Sequence, residues 1–491
     1  MLVFNAIALY WIGGWQSDDT FLKLGGVATI IVHPLFFLLP IVVFYLSKKY
    51  LSLGFALITF PFIWTGFEYS HNNGQLAFPW LELGNTETYN LNRIQFIDIT
   101  GVHGLTFLIC IAASLLFFIC SKLVNKEWTL RNIKSVISLL ILFGLLIAPN
   151  FYSYNFLTSQ QAKDFVKGND DKIKVTAIQP NVDPHRKWLG SVDSLINSYI
   201  QKLNDAATTN PDLIVLHETT TPYYFFEPFY DYNTSKFLNF VKEKRQNLLI
   251  GIPHLEYYAD SNSAPSDSRM MKESGRRYDT YNSAVLLEPD KRYGNFTIHK
   301  KVKLVPISER VPYQEKLPFI KDMVKWGVGL SSWQMGDSLI LFTLQRPNQQ
   351  KVSFATLICF ESVFSEYVSE GVKNGAEFLV VITNDGWFGN SSGPVQHNQY
   401  AVLRAIENRK WVVRCAQTGI SCFIDPLGNQ FENAWVGEEK NLSFAINSSS
   451  KKTFYSVNGD VIGKVSWYVM MFVLAVSLIA YAYKRKARRN A

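Results

Sequence analysis

The sequence predicts a multi-pass α-helical membrane domain joined to an α/β domain. Long apolar runs separated by charged loops predict the first, and short apolar strands alternating with helical patterns predict the second. At 491 residues the chain is also too long for one ordinary hydrophobic core. We therefore expect a membrane domain over 1–150 with about five spans, the first of them short, and an α/β domain over 170–450. A final span over 465–483 carries a basic tail over 484–491.

Membrane crossing is predicted by six apolar runs, most of which approach the ~20 residues that cross ~30 Å of hydrocarbon. The runs cover 2–15, 24–46, 51–67, 99–120, 134–149 and 465–483. Basic residues gather at 47–50, at 121–134 and in the tail, and these segments alternate with two loops that are acidic on balance and with the α/β block. The positive-inside rule places the basic segments in the cytoplasm and the α/β block outside. The net charge of +8 therefore reflects membrane anchoring, and no nucleic-acid partner is predicted.

Seven short apolar segments in the α/β block have the length and composition of strands. They lie at 172–179, 212–217, 247–251, 281–287, 352–358, 378–383 and 411–415. Helical patterns lie between several of them, at 191–207, 234–245, 362–374 and 394–409. This alternation predicts a sheet covered by helices. Five cysteines are too few for a disulfide scaffold, and free buried thiols at Cys415 and Cys422 are favoured over a disulfide between them.

Three reactive side chains lie at or near the ends of predicted strands, where α/β folds display their chemistry. Glu218 comes directly after 212–217. Cys359 directly follows 352–358 and precedes a predicted helix, and Lys301 lies in a basic segment between Glu218 and Cys359. A thiol at a helix N-terminus is expected to have a lowered pKa, and the N–H groups there can bind an oxyanion. Taken singly, the three also fit a solvated carboxylate, one lysine among four, and a buried core cysteine.

The spacing of these residues resembles the nitrilase, or carbon–nitrogen hydrolase, superfamily. Its signature is a Glu, a Lys in a K-x-x-L-x-P-x-x-E pattern, and a Cys followed by a helix. Lys301-Val-Lys-Leu-Val-Pro-Ile-Ser-Glu309 fits that pattern. The resemblance implies a nitrilase-like αββα sandwich over 170–450 and a catalytic triad of Glu218, Lys301 and Cys359.

The apolar runs and longer motifs make the whole chain resemble the apolipoprotein N-acyltransferase family. The motifs include Trp64-Thr-Gly-Phe-Glu68, Gly101-Val-His-Gly104 and Ile382-Thr-Asn-Asp-Gly-Trp-Phe-Gly389. This resemblance implies that Glu309, Glu361 and Phe360 support the catalytic groups and that Trp188 binds substrate. Ile307-Ser308 replaces the family's usual Phe-Gly, which bears on acyl-chain preference. The family usually has eight spans, so the first two are expected to be missing from this chain.

The resemblance also implies a reaction. The thiolate of Cys359 attacks the ester carbonyl of a phospholipid and forms a thioester. Glu218 acts as general base, while Lys301 and the backbone N–H of Phe360 stabilise the tetrahedral oxyanion. The α-amine of a lipoprotein's N-terminal diacylglyceryl-cysteine then attacks the thioester. The expected enzyme is a monomer of the bacterial inner membrane, with a periplasmic catalytic domain and neither cofactor nor metal.

Two other functions remain alternatives. A membrane-tethered nitrilase-type amidase would use the same triad with water as acceptor, but a soluble amide does not require access to lipid. A non-catalytic membrane scaffold that binds lipoproteins would not need Glu218, Lys301 and Cys359 together.

Aromatic residues at 223–226 and around Trp326 and Trp333 form a separate pattern. Exposed aromatic rings are typical of the membrane–water boundary. These segments are therefore predicted to form arms that enter the outer leaflet, with burial in a core as the alternative.

Overall fold

A computed structural model of the chain describes residues 1–14, 20–126, 128, 133–169, 172–187, 189–260, 264–316, 333–346 and 350–490. Trp188 and Trp326 lie outside these residues. The helices are α1 (Leu2–Leu9), α2 (Thr20–Val32), α3 (Leu38–Tyr50), α4 (Leu53–His71), α5 (Ile97–Thr100), α6 (Val102–Val124), α7 (Ile133–Leu157), α8 (Gln160–Lys167), α9 (Val192–Ala207), α10 (Asp231–Lys244), α11 (Ser365–Lys373), α12 (Ser392–Asn408), α13 (Phe454–Asn458) and α14 (Val461–Asn490). The strands are β1 (Lys172–Gln179), β2 (Leu213–Val215), β3 (Leu248–Tyr257), β4 (Arg269–Met270), β5 (Arg277–Leu287), β6 (Thr297–Lys300), β7 (Leu341–Gln345), β8 (Lys351–Ile358), β9 (Phe378–Thr383), β10 (Val412–Ala416), β11 (Ser421–Ile424), β12 (Gln430–Ala434) and β13 (Lys440–Asn447).

Among the described residues, four helical segments are long and apolar enough to cross a membrane, so the membrane domain is multi-pass as predicted. They are Leu22–Tyr50, Val102–Val124, Ile133–Leu157 and Val461–Arg489. The apolar segment Leu2–Gly13 is shorter. α4 packs against α3, α6 and α14. Its buried Thr59, Thr65 and Glu68 make it less apolar than the four candidate spans. The total of six spans, five of them before residue 150, stays a prediction.

The described part of the α/β domain contains two β-sheets. The strand order of the first is β13-β1-β2-β3-β5-β4, with β6 also paired to β5, and that of the second is β12-β11-β10-β9-β8-β7. The strands β1, β2 and β3 are parallel to one another, as are β8, β9 and β10. All seven predicted strands are confirmed. The patterns missed edge strands such as β7, β12 and β13, because their half-exposed residues weaken the apolar signal.

Three hydrophobic cores arrange these elements in four layers. The first lies between the sheets and joins Val215 of one to Phe354 of the other. The second packs the outer face of the first sheet, including Ile214, against α9 and α10, including Phe237. The third packs the outer face of the second sheet, including Leu379, against α11 and α12. The domain is therefore the predicted αββα sandwich, stabilised mainly by burial worth about 1.5–3 kcal/mol for each large apolar side chain.

The third core continues into the membrane domain, so the spans cover the outer helices of the sandwich. Trp80 of the membrane domain belongs to the same cluster as Ile406 of α12. Arg409, directly after α12, is fully buried between the two domains. Its guanidinium donates to Asp98 Oδ2 at 3.0 Å and to Gln95 Oε1 at 2.6 Å. A buried charge is costly unless it is paired, so these contacts favour one relative position of the two domains.

Two local predictions have opposite outcomes. Tyr223 and Phe225 are buried in the core beside α10, and Trp333 is buried as well. The prediction of lipid-facing arms is therefore wrong for these residues, because the protein interior already buries their rings. Cys415 and Cys422 are free and buried, as predicted.

Candidate active site

Glu218 is a buried carboxylate held by three donors. It follows β2 and is 5% exposed. Its Oε1 accepts hydrogen bonds from the Asn282 side chain at 2.7 Å and from the Lys301 ammonium at 3.0 Å. Its Oε2 accepts the backbone N–H of Asn384, which follows β9, at 3.0 Å. The carboxylate therefore receives donors from both sheets and has a defined orientation.

Lys301, directly after β6, lies between two carboxylates. Its Nζ donates to Glu218 Oε1 at 3.0 Å and to Glu309 Oε1 at 2.8 Å. The loop after Lys301 turns back on itself, so the other oxygen of Glu309 accepts the N–H of Val305 at 2.7 Å. Burial alone would lower the pKa of Lys301, but Glu218 and Glu309 outweigh burial and raise that pKa. The ammonium is therefore a fixed positive charge at neutral pH.

Cys359 directly follows β8 and begins a short 3₁₀ helix, Cys359–Val363. Its φ is +52°, in the left-handed region that costs a non-glycine residue about 1–2 kcal/mol. Burial raises the pKa of the thiol, Glu218 raises it further, and Lys301 only partly opposes them. The expectation of a lowered thiol pKa is wrong, because desolvation and a nearby carboxylate outweigh one short helical turn. A neutral thiol needs a base before it can attack, and Glu218 is near enough to influence it electrostatically.

Glu361 connects the turn at Cys359 to the segment after Lys301. Its Oε2 accepts the N–H of Ile358 at 2.8 Å, and its Oε1 accepts the N–H of Val302 at 2.7 Å. Burial would raise the pKa of Glu361, but His299 and these N–H donors outweigh burial and lower that pKa. The carboxylate is therefore charged, and it holds the backbone on both sides of the site.

Phe360 is buried next to the thiol. Its ring packs edge-on against Phe364 with centroids 5.1 Å apart, and it lies 6.0 Å from the ring of Phe78 in the membrane domain. Phe360 is thus packed against the membrane domain. The structure brings together six of the seven predicted site residues, and the seventh, Trp188, lies outside the described residues.

Lys187 is a buried group that the sequence did not single out. Its ammonium donates to the carbonyl of Thr219, directly after Glu218, and to Gln417 Oε1 at 2.9 Å. Burial lowers the pKa of Lys187 to about 7, although the Glu218 carboxylate opposes this shift. Lys187 thus holds the backbone beside the carboxylate. Asn282 was missed for a similar reason, since neither residue belongs to a recognisable spacing.

A second buried network supports the backbone at Cys359. His397 Nδ1 lies 2.8 Å from Asp385 Oδ1, and its Nε2 lies 3.2 Å from the carbonyl oxygen of Cys359. Histidine, cysteine and carboxylate side chains can bind a metal ion. Among the described residues, one group of three such side chains is close enough to do so: Cys359, Asp385 and His397, whose ligand atoms lie within 4.8 Å of one another. However, Asp385 also pairs with Arg414 at 2.8 Å. Both carboxylate oxygens of Asp385 are thus already bonded, so the donor set does not fit a metal ion.

Replacing Glu218 with Gln should slow alkylation of Cys359 by iodoacetamide about 100-fold, the scale of one general base. The reason is that burial keeps the thiol neutral, so we expect Glu218 to take its proton when it reacts. The rate would be followed at pH 7 by peptide mass spectrometry at Cys359. A Glu243→Gln chain, changed on the exposed side of α10, is the matched control and should react at the original rate. Equal rates in all three chains would mean that the thiolate forms without Glu218.

Comparison with known proteins assigns the family. A carbon–nitrogen hydrolase model matches residues 174–450, and a model of the apolipoprotein N-acyltransferase N-terminal domain matches residues 1–115. An apolipoprotein N-acyltransferase of Chlorobaculum tepidum is 33% identical, over 95% of this chain and 84% of its own length. The chain belongs to the apolipoprotein N-acyltransferase family.

Further members of the apolipoprotein N-acyltransferase family are similar over most of their length. One from Geobacter metallireducens is 32% identical, over 94% of this chain and 81% of its own length. One from Haemophilus influenzae is 28% identical, over 88% of this chain and 76% of its own length. The predicted resemblance is therefore confirmed across both domains. Membership in the apolipoprotein N-acyltransferase family makes the chain an acyltransferase and favours neither the amidase nor the scaffold alternative.

Proposed function

We propose that this chain moves an acyl chain from a phospholipid to the α-amino group of the N-terminal diacylglyceryl-cysteine of lipoproteins, through a thioester on Cys359. The observation that carries this proposal is the ion pair between Glu218 and Lys301, with the Cys359 thiol in their electrostatic field. The domain that bears these groups packs onto membrane spans, which suits a lipid donor. The names of the relatives support a lipoprotein as the acceptor.

In the first half of the reaction, Glu218 takes the proton from the Cys359 thiol. The sulfur then attacks the carbonyl carbon of a phospholipid ester and forms the S–C bond. Charge develops on the carbonyl oxygen, where the Lys301 ammonium and the backbone N–H of Phe360 stabilise it. The C–O bond then breaks, Glu218 returns the proton to the leaving alkoxide, and a lysophospholipid departs.

In the second half, the acceptor's α-amine attacks the thioester carbon. Glu218 takes a proton from the amine, and Lys301 again stabilises the oxyanion. The C–S bond breaks, and the proton passes from Glu218 to the sulfur, which restores the thiol. An amide is far more stable than a thioester, so this half runs downhill. Glu309 keeps Lys301 in place, Glu361 holds the turn at Cys359, and Trp188 contacts substrate.

The catalytic domain requires lipid and lipoprotein on the same side of a membrane. The basic loops and tail support a cytoplasmic position for the opposite ends of the spans. We therefore place the chain in the bacterial inner membrane with its catalytic domain in the periplasm, acting as a monomer. The amidase alternative would use the same triad to attack an amide, and water would then accept the acyl group from the thioester.

The test is acyl transfer by the purified full-length chain in detergent micelles that contain phospholipid. A diacylated lipopeptide with a free α-amine is the acceptor, and a matched lipopeptide with an acetylated α-amine is the control. Mass spectrometry should find one additional acyl chain on the free-amine lipopeptide only, together with lysophospholipid. Release of free fatty acid at the same rate with either lipopeptide would instead assign a hydrolase that uses water.

A further inference from the structure

A polar cavity lies beside the candidate active site, where the spans meet the catalytic domain. Its volume is about 450 Å³, within the range of small-ligand sites. Its walls come from α11, from the segment at Lys303, and from the adjoining ends of α4, α6 and α14. None of Glu218, Lys301 and Cys359 lines it. The cavity is therefore separate from the reacting groups.

The position of the cavity is that of lipid headgroups. Two of its lining residues, His103 and Lys464, stand in the first turns of the spans Val102–Val124 and Val461–Arg489. A third, Asn72, caps α4, which packs between those spans. Residues at the ends of spans lie at the boundary between hydrocarbon and water. A ligand of this cavity can therefore be the polar end of a membrane lipid.

Two lysines supply positive charge to the cavity. Lys303 is half-buried, with its ammonium 5.1 Å from the centre of the Phe364 ring, and Lys373 is exposed at the end of α11. Within the described residues, neither ammonium has a carboxylate at ion-pair distance, whereas Lys464 on the same wall is paired with Glu366. Burial lowers the pKa of Lys303, although nearby acids oppose that shift. Both lysines can therefore donate to a phosphate.

Acceptors for a cation line the same cavity. The side-chain oxygen of Asn72 is buried and has no hydrogen-bond partner in the described part of the chain. Glu370 is exposed on α11 and likewise forms no ion pair among the residues described. A buried acceptor without a partner is costly, and an ammonium group in the cavity would satisfy it. The cavity thus offers donors for an anion and acceptors for a cation.

We propose that this cavity binds the phosphate-and-ammonium headgroup of a membrane phospholipid that is not the acyl donor. Lys303 and Lys373 hold the phosphate, and Asn72 and Glu370 hold the ammonium. The bound lipid ties α11 of the catalytic domain to the ends of three helices of the membrane domain. The site reaches the nucleophile through Glu361, which accepts a hydrogen bond from Tyr367 on the cavity wall at 2.9 Å.

The test counts phospholipids retained by the full chain in native mass spectrometry. A Cys359→Ala background prevents covalent acylation, so the result does not depend on the proposed acyl transfer. With phosphatidylethanolamine, a Lys303→Gln/Lys373→Gln chain should retain one lipid fewer and need about tenfold more lipid to recover it, as expected for loss of charged hydrogen bonds. The matched control is Lys242→Gln/Lys244→Gln, which removes two exposed charges from α10. Equal retention in the two double variants would overturn the proposal.

Two further ligands and one single variant complete the test. Diacylglycerol lacks the headgroup, so it should erase the difference between the two double variants, and a difference that persists would refute headgroup binding. Inorganic phosphate at the lipid concentration should displace nothing, and displacement would assign a soluble anion site instead. The exposed Lys373→Gln change alone should weaken retention without changing the melting temperature in lipid-free detergent, which separates binding from misfolding. Unchanged retention in that single variant would also count against the proposal.

Discussion

Replacing Cys359 with Ala should abolish acyl transfer, with a loss of about 10,000-fold or more, as expected when a covalent nucleophile is removed. The change removes the atom that carries the acyl chain and leaves the buried network around Glu361 unaltered. Initial rates of lipopeptide acylation by purified chains would measure the loss. Incubation of the original chain with phospholipid and no acceptor should add the mass of one acyl chain at Cys359, and the variant should gain none.

Cys120→Ala is the matched control for this prediction, because Cys120 is an exposed thiol on α6. It should retain full transfer and acquire the same acyl mass as the original chain. The melting temperature of both variants in detergent should match that of the original chain. Transfer that persists in the Cys359→Ala chain would exclude a thioester intermediate and require direct attack by the amine on the ester.

Replacing Lys301 with Met should reduce transfer about 1,000-fold and lower the free energy of unfolding by about 3–5 kcal/mol. Lys301 is only 1% exposed and lies between Glu218 and Glu309. Without the ammonium, two buried carboxylates face each other, and one of them binds a proton at neutral pH. Glu218 then becomes a poorer base, and the oxyanion loses its charged donor. Transfer assays and denaturant unfolding in mild detergent would measure the two effects.

The rate of Cys359 alkylation in the Lys301→Met chain should also depend on pH. A carboxylate whose pKa is raised by its neighbour loses its proton only as the pH increases, so alkylation of Cys359 in the Lys301→Met chain should become faster toward alkaline pH. A Lys301→Met/Glu309→Gln chain removes the repulsion and should recover much of the stability. It should not recover transfer, because the oxyanion donor is still absent. Recovery of both properties would reduce Lys301 to a structural role.

The sequence predicted those parts of the site that depend on spacing along the chain. Lys301 and Glu309 were recognisable because they fit the K-x-x-L-x-P-x-x-E pattern of the carbon–nitrogen hydrolases, and Cys359 because it follows a predicted strand and precedes a predicted helix. Asn282 and the backbone N–H of Asn384 were not recognisable, because they reach Glu218 only when strands distant in sequence become neighbours. Local pattern also could not predict these contacts, since any strand can carry an asparagine.

The two errors have a common physical cause. The thiol pKa of Cys359 was expected from the local helix, whereas desolvation and Glu218 decide it. The aromatic rings of Tyr223 and Phe225 were expected to meet lipid, whereas the sandwich interior buries them. In both cases the local sequence indicated a property of the side chain. It could not indicate the surroundings of that side chain, which depend on tertiary packing.

The unbroken core from β9 through α12 to Trp80 makes the membrane half part of the enzyme's interior rather than a detachable anchor. A fragment limited to residues 170–450 would expose that interior to water and separate Arg409 from Asp98. Grafting the sandwich onto an unrelated hydrophobic anchor would therefore require a redesigned α12 as well. A substitution at this boundary therefore has to fit side chains of both halves at once.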